Sequence, residues 1–123
     1  MNARRRFLQT RSGVTAFAEV EVRLVPAAAP AAVDRLDPAA GACAPSWIAA
    51  ALRGALRVAE ALVARGRIAA VEVQLVSLRG SPVDTREDAV ECAAALAVWE
   101  AAAILDPPPE PVFAAGRWSL PEL

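Results

Sequence analysis

Apolar and polar positions alternate strictly through residues 18–24, where Ala18, Val20, Val22 and Leu24 stand against Glu19, Glu21 and Arg23. A period of two puts one face in a core and the other in water, the pattern of a half-buried strand. The same rhythm returns in residues 71–78, with Val71, Val73 and Leu75 set against Glu72 and Gln74. Residues 6–10 predict a further strand, joined to residues 17–25 through Arg11-Ser12-Gly13, with Gly13 suited to a positive φ. After Pro45 the period changes. Ile48, Leu52, Ala55, Ala59 and Leu62 recur at three- and four-residue intervals, with Arg53, Arg57 and Glu60 on the other side. This predicts a helix capped by Ser46 and closed by Gly66. Gly54 inside it costs about 1 kcal/mol relative to alanine, which predicts a helix lying tight against the sheet. A second helix should open at Asp84 or Thr85, with Glu87 and Asp88 at the positive end of its dipole. Its predicted buried stripe is Ala89, Val90, Ala93, Leu96, Ala97 and Ile104, and Asp106-Pro107-Pro108-Pro109 stops it.

Strand, strand, helix, strand, helix is the resulting order, with Val33-Asp34-Arg35-Leu36 as a short edge strand. It predicts an α/β fold of the α+β two-layer sandwich type, with about four strands and both helices on one face. Residues 1–106 form the expected domain and residues 107–123 a Pro-rich C-terminal tail, loosely held from Gly116 onward. Val112 and Phe113 mark one more candidate edge strand, and the chain shows no internal repeat.

Composition sharpens the core and narrows the chemistry. The 123 residues suit one domain, and 56% are hydrophobic, largely through alanine, while aromatics make up only 5%. Small residues should therefore pack closely around a few anchors, among them Trp47, Trp99 and Phe17. All 13 basic residues are arginine, and there is no lysine, histidine or tyrosine. That vocabulary is more simply a mark of genomic base composition than of function. A net charge of −1 provides no global field toward nucleic acid or an anionic membrane. Arg4, Arg5, Arg6 and Arg11 form a local exception, with no apolar run of signal-peptide length behind them. Arg53, Arg57, Glu60, Glu91 and Glu100 interrupt the two most apolar stretches, so no membrane span and a cytoplasmic location are expected.

Cys43 and Cys92 lack the paired spacing of a zinc site, and no histidine could complete one. Cys92 reads as a small core residue, whereas Cys43 falls in a loop without a histidine to activate it as a nucleophile. Asp84, Glu87 and Asp88 are the best carboxylate cluster, and helix capping with dipole compensation explains them. The expectation is a chain with no catalytic residue, no metal and no cofactor.

From Arg6 to Ala101 the chain resembles domain IV of translational GTPases of the elongation factor G type. Landmarks match in order: Arg6-Phe7-Leu8-Gln9-Thr10, then residues 18–26, then Val33-Asp34-Arg35-Leu36. Pro45-Ser46-Trp47-Ile48 with Gly54, and Gly80-Ser81 with Val83-Asp84-Thr85, Ala89 and Ala93, complete the series. The resemblance implies the ribosomal protein S5 domain 2-like fold with a left-handed βαβ crossover, rare among parallel connections. No Gly-x-x-x-x-Gly-Lys-Ser/Thr loop is present, and a chain without lysine cannot form one, so GTP is not an expected ligand. In the parent factors this domain is a tRNA-shaped lever whose tip loops enter the decoding centre. Here the hairpin tip Arg11-Ser12-Gly13-Val14 is short, and the turn Gly80-Ser81-Pro82 lacks the family's histidine.

Two classes of function follow. One is a non-catalytic ribosome- or RNA-associated protein contacting phosphates through Arg4, Arg5, Arg6, Arg11 and Arg79, provided these gather at one end of the sheet. The other is a protein-interaction or self-associating module that no longer acts in translation and uses a free sheet face or edge. Added salt separates them, since phosphate contacts weaken steeply with it.

Overall fold

The alternating segment around Val20 is a strand of thirteen residues, β2 (Val14–Pro26), in the computed structural model, which describes residues 1–11, 13–41 and 43–121. It pairs antiparallel with β1 (Asn2–Arg11) on one side and with β4 (Val71–Arg79) on the other. β3 (Ala31–Asp34) adds to β4 in parallel, giving the sheet order β1-β2-β4-β3. Both of the first strands run longer than the alternation predicted. Arg4 and Arg5, outside the predicted residues 6–10, are strand residues, and each finds a carboxylate on its own side of the sheet. β3 lies two residues earlier than Val33-Asp34-Arg35-Leu36 would place it. Of the tight β1–β2 turn, Gly13 has the expected positive φ of 76°, while Ser12 lies outside the described residues.

Helix α1 (Pro45–Ala64) connects β3 to β4 and packs on those two strands, and α2 (Glu87–Ala101) lies beside it over β1 and β2. Both helices thus cover one face, and the fold is an α+β two-layer sandwich. Gly66 closes α1 as expected: at φ 67° it donates to Val63 O at 3.0 Å, and Arg67 donates to Leu62 O at 2.9 Å, a Schellman arrangement. Its start differs from the prediction. Ala44 is the N-cap and Pro45 the first helical residue, so Ser46 sits inside the first turn and caps nothing. Ile48 and Leu52 are only half-buried, because the stripe is rotated toward Ala51, Ala55, Val58 and Leu62.

Gly54 marks a close approach, but by α2, not by the sheet. A Cβ there would collide with the carbonyl oxygen of Glu91 and lie 3.0 Å from Glu91 Cγ. The two helix backbones touch at this point, and only glycine leaves them room.

α2 begins at Glu87 with Arg86 as N-cap, two to three residues later than predicted, and its burial is not a stripe. Only Glu87, Glu91 and Glu100 keep substantial exposure; alanines, Leu96, Val98 and Trp99 are buried all round. The third side is closed by the C-terminal segment. There β5 (Val112–Ala114) and β6 (Arg117–Ser119) form a hairpin, with Trp118 and Leu120 in the core. The segment expected to be loose from Gly116 is therefore packed. Trp118 stacks edge-on against Phe7 with ring centroids 5.2 Å apart. Trp99 and Trp118 are the buried tryptophans, whereas Trp47 and Phe17 are half-buried.

Candidate functional site

The five arginines expected to meet phosphate do not form one patch. Arg4 and Arg6 project from the open face of β1, and Arg79 ends β4 on the same face. Arg4 Nη2 lies 2.8 Å from Glu21 Oε1. Glu19, nearly buried, takes Arg6 at 3.4 Å and Arg79 at 3.5 Å. Strand alternation sends Arg5 and Arg11 to the helix-covered face. There Arg5 approaches Glu100 at 3.5 Å, with its Nε buried and without a hydrogen-bond partner, and Arg11 lies over the Trp118 ring at 5.5 Å. Each of the five is thus committed to a neighbour in the fold, four of them to carboxylates.

The β4–α2 loop lies beside β2 at Phe17. β4 stops pairing at Glu19, and beyond it the β4–α2 loop takes the place of a strand beside β2. Phe17 N donates to Asp84 O at 2.9 Å, and Thr85 Oγ1 donates to Phe17 O at 2.7 Å. The same hydroxyl accepts from Ser81 N at 2.6 Å. A Cβ on Gly80 would stand 2.6 Å from that oxygen, so glycine is what lets the turn close over Thr85. The Val-Asp-Thr segment read as the start of a helix is instead a clamp between that turn and the sheet.

Asp88 has a second duty that dipole compensation does not describe. It is buried, with Oδ2 accepting from Trp118 N at 2.7 Å and Oδ1 from Ala89 N at 2.9 Å. Arg86 supports it at 3.6 Å and also donates to Gly116 O at 3.1 Å. Asp88 thereby ties the C-terminal hairpin to the first turn of α2. The sequence signal was present in Trp118, an aromatic residue at the end of a Pro-rich connector, and in an Asp at a helix start.

Beside this junction, a cleft of about 490 Å³ opens between the first turns of α1 and α2. Arg53, Arg86 and Arg117 line it together with Glu87, Asp88 and Glu91. Arg53 pairs with Glu91 at 3.0 Å, and the charges on the walls balance. Among the described residues no group of three His, Cys, Asp or Glu side chains could hold a metal ion, and no helix is long and apolar enough to cross a membrane.

The two cysteines differ sharply. Cys43 is half-buried and donates its thiol to Leu78 O at 3.4 Å. Cys92 sits on α2 at the floor of a smaller cavity of about 220 Å³ under Trp118 and Leu120. Burial, reinforced by the charges of Asp88 and Glu91, pushes its thiol up from 9.0 to about 12. Cys92 should therefore not react with a disulfide reagent at pH 8 in the folded protein, and Cys92→Ser should leave the native labelling rate unchanged. Release of a second thiol without denaturant would contradict this. The sign for stability follows. Between pH 9 and 12 the unfolded chain loses a proton that the native state keeps, so this group lowers stability as pH rises, by up to about 1.4 kcal/mol per unit.

No protein-family model matches the chain, and no curated protein matches it. Its fold does recur among solved structures. A crystal structure of a protein from Thermus thermophilus superimposes with a TM-score of 0.67 and 22% identity over 80% of this chain. The match spans 15% of that protein's length, so it concerns one part of a much larger molecule. At this identity the likeness establishes the fold.

Proposed function

We propose that the protein is a non-catalytic binding module of the elongation factor G domain IV type, working by protein contacts and without GTP, in a cytoplasmic setting. The reading rests on the order of sequence landmarks, and it carries with it a left-handed β3–α1–β4 crossover. The observation that favours protein contact is the fate of the arginines. Arg4, Arg5, Arg6 and Arg79 lie beside Glu21, Glu100 and Glu19, whose negative charges offset part of the attraction an incoming phosphate would feel. Meanwhile the sheet keeps one uncovered face and a ten-residue outer strand, β1.

One observation favours a ribosome- or RNA-associated reading as the second choice. The β4–α2 loop bonds to Phe17 of β2 through Asp84 and Thr85, on the same side of the fold as the β1–β2 turn, the arrangement a nucleic-acid-facing end would need. Sedimentation of cell lysate through sucrose at low and high salt separates the two. Under the protein-contact reading, the protein stays out of ribosomal fractions in both conditions. Cosedimentation at low salt that disappears at high salt would decide for RNA.

A further inference from the structure

We infer that the outer edge of β1 is a self-pairing surface, through which two copies of this chain join their sheets into one of eight strands. The inference rests on the protein-contact reading and names the partner as a second copy.

The hydrogen-bonding phase of β1 sets which groups are free. Met1 and Leu24 exchange both bonds, Leu24 N to Met1 O at 2.7 Å and Met1 N to Leu24 O at 3.3 Å. Antiparallel pairs alternate between bonded and non-bonded, so Ala3, Arg5, Phe7, Gln9 and Arg11 turn their backbone groups toward β2. Asn2, Arg4, Arg6, Leu8 and Thr10 turn theirs outward, where Thr10 O also accepts from Arg11 Nη1 at 3.3 Å. No other backbone segment among the described residues bonds to this edge. Every other sheet edge among the described residues is short: β3 has four residues, and β5 and β6 three each.

Three arginines in a row on an outer strand would ordinarily guard it against pairing. Here Arg4, Arg5 and Arg6 are already matched to Glu21, Glu100 and Glu19 of their own protomer. Glu21 and Glu100 each offset one arginine and Glu19 serves Arg6 and Arg79 together, which lowers the repulsion between two copies of the edge. Leu8, at 55% exposure, adds an apolar contact on the open face beside half-buried Phe17.

Self-pairing about a two-fold axis allows only a few registers, and side-chain chemistry chooses among them. Centring the axis on Arg6 sets Arg6 opposite Arg6, and centring it on Arg5 sets Arg5 opposite Arg5 and Arg4 opposite Arg6. Centring it on Phe7 places Arg4 opposite Thr10, Arg5 opposite Gln9, Arg6 opposite Leu8 and Ala3 opposite Arg11. No arginine then faces another directly, and Leu8 lies along the aliphatic stem of the other copy's Arg6. In this register all of Arg4, Arg6, Leu8 and Thr10 pair, giving about eight new backbone hydrogen bonds.

Leu8→Pro tests this without touching the protomer's own ladder, because the Leu8 N–H points outward. Sedimentation equilibrium of the full chain, from about 1 µM to about 1 mM, should show a mass rising from 12.8 kDa to twice that value. Leu8→Pro should weaken association at least about tenfold, whereas Leu8→Thr, which keeps the N–H, should still dimerise. Hydrogen exchange on the unmodified protein gives a readout independent of any variant. The amides of Arg4, Arg6, Leu8 and Thr10 should become protected together as concentration rises. A mass of one protomer at every concentration overturns the inference. So does a dimer in which those four amides still exchange freely, or one that a folded Leu8→Pro leaves intact. Protection of these amides in a monomer by an added glutamate-rich peptide would reassign the edge to an acidic partner. A monomer that also avoids ribosomes would remove the dimer and leave the protein-contact reading standing, while salt-sensitive ribosome association would remove that reading itself.

Discussion

Trp118→Ala will destabilise the protein by about 4 kcal/mol, a large share of the roughly 10 kcal/mol that holds a domain of this size together. The indole is 5% exposed although it lies five residues from the C-terminus, and it contacts Phe7, Phe113 and the Arg11 guanidinium. Removing it opens a void above α2 that the neighbouring small residues cannot fill, because alanine has no rotamers with which to adjust. The same change loosens the hairpin from Asp88, whose carboxylate holds the Trp118 amide. Urea unfolding monitored by far-ultraviolet dichroism is the direct measurement. A shift below about 1 kcal/mol would mean that residues 112–120 are a detachable tail after all.

The second large effect is expected at Thr85. Thr85→Val keeps the shape and removes one oxygen, which leaves Ser81 N and Phe17 O without a partner beside a buried side chain. Orphaning two such groups should cost about 3 kcal/mol, and Thr85→Ser, which restores the hydroxyl, should recover most of it. Faster amide exchange at Ser81 should accompany the loss in Thr85→Val and not in Thr85→Ser. Equal destabilisation by valine and serine would show that the methyl packing matters and the hydroxyl does not.

These two residues show where reading along the chain reaches its limit. Thr85 sits where a helix cap would be expected, and a cap satisfies amides of its own helix. In the fold its oxygen instead serves a strand 68 residues away. Trp118 follows a run of prolines that breaks any periodic pattern, so nothing local ties it to Phe7. Gly54 carried a correct message about close approach, but a glycine does not say which backbone comes near. α2 is the clearest case of a pattern that misleads. Its alanines and valines suit a stripe, yet the sheet, α1 and the C-terminal hairpin together cover nearly the whole cylinder.

The arginines divide in the same way. Their number and clustering are plain from the sequence, and strand alternation places Arg4 and Arg6 on one face and Arg5 on the other. Their partners Glu19, Glu21 and Glu100 are 13 to 95 positions distant. Whether such a cluster is a phosphate site or a set of internal ion pairs depends on which carboxylates the sheet register brings alongside.

What the chain alone determined is the local part: the alternation that makes β2 and β4 strands with one wet face, the helical spacing of α1, and the Gly66 stop. These follow from which side chains water rejects and from the backbone angles glycine and proline permit, and both are properties of neighbouring residues. Only the tertiary structure decided that α2 is enclosed, that the C-terminal hairpin belongs to the core, and that the arginines are already paired while the outer edge of β1 stands open. Each of those depends on contacts between distant segments, whose geometry is fixed by packing the whole chain at once.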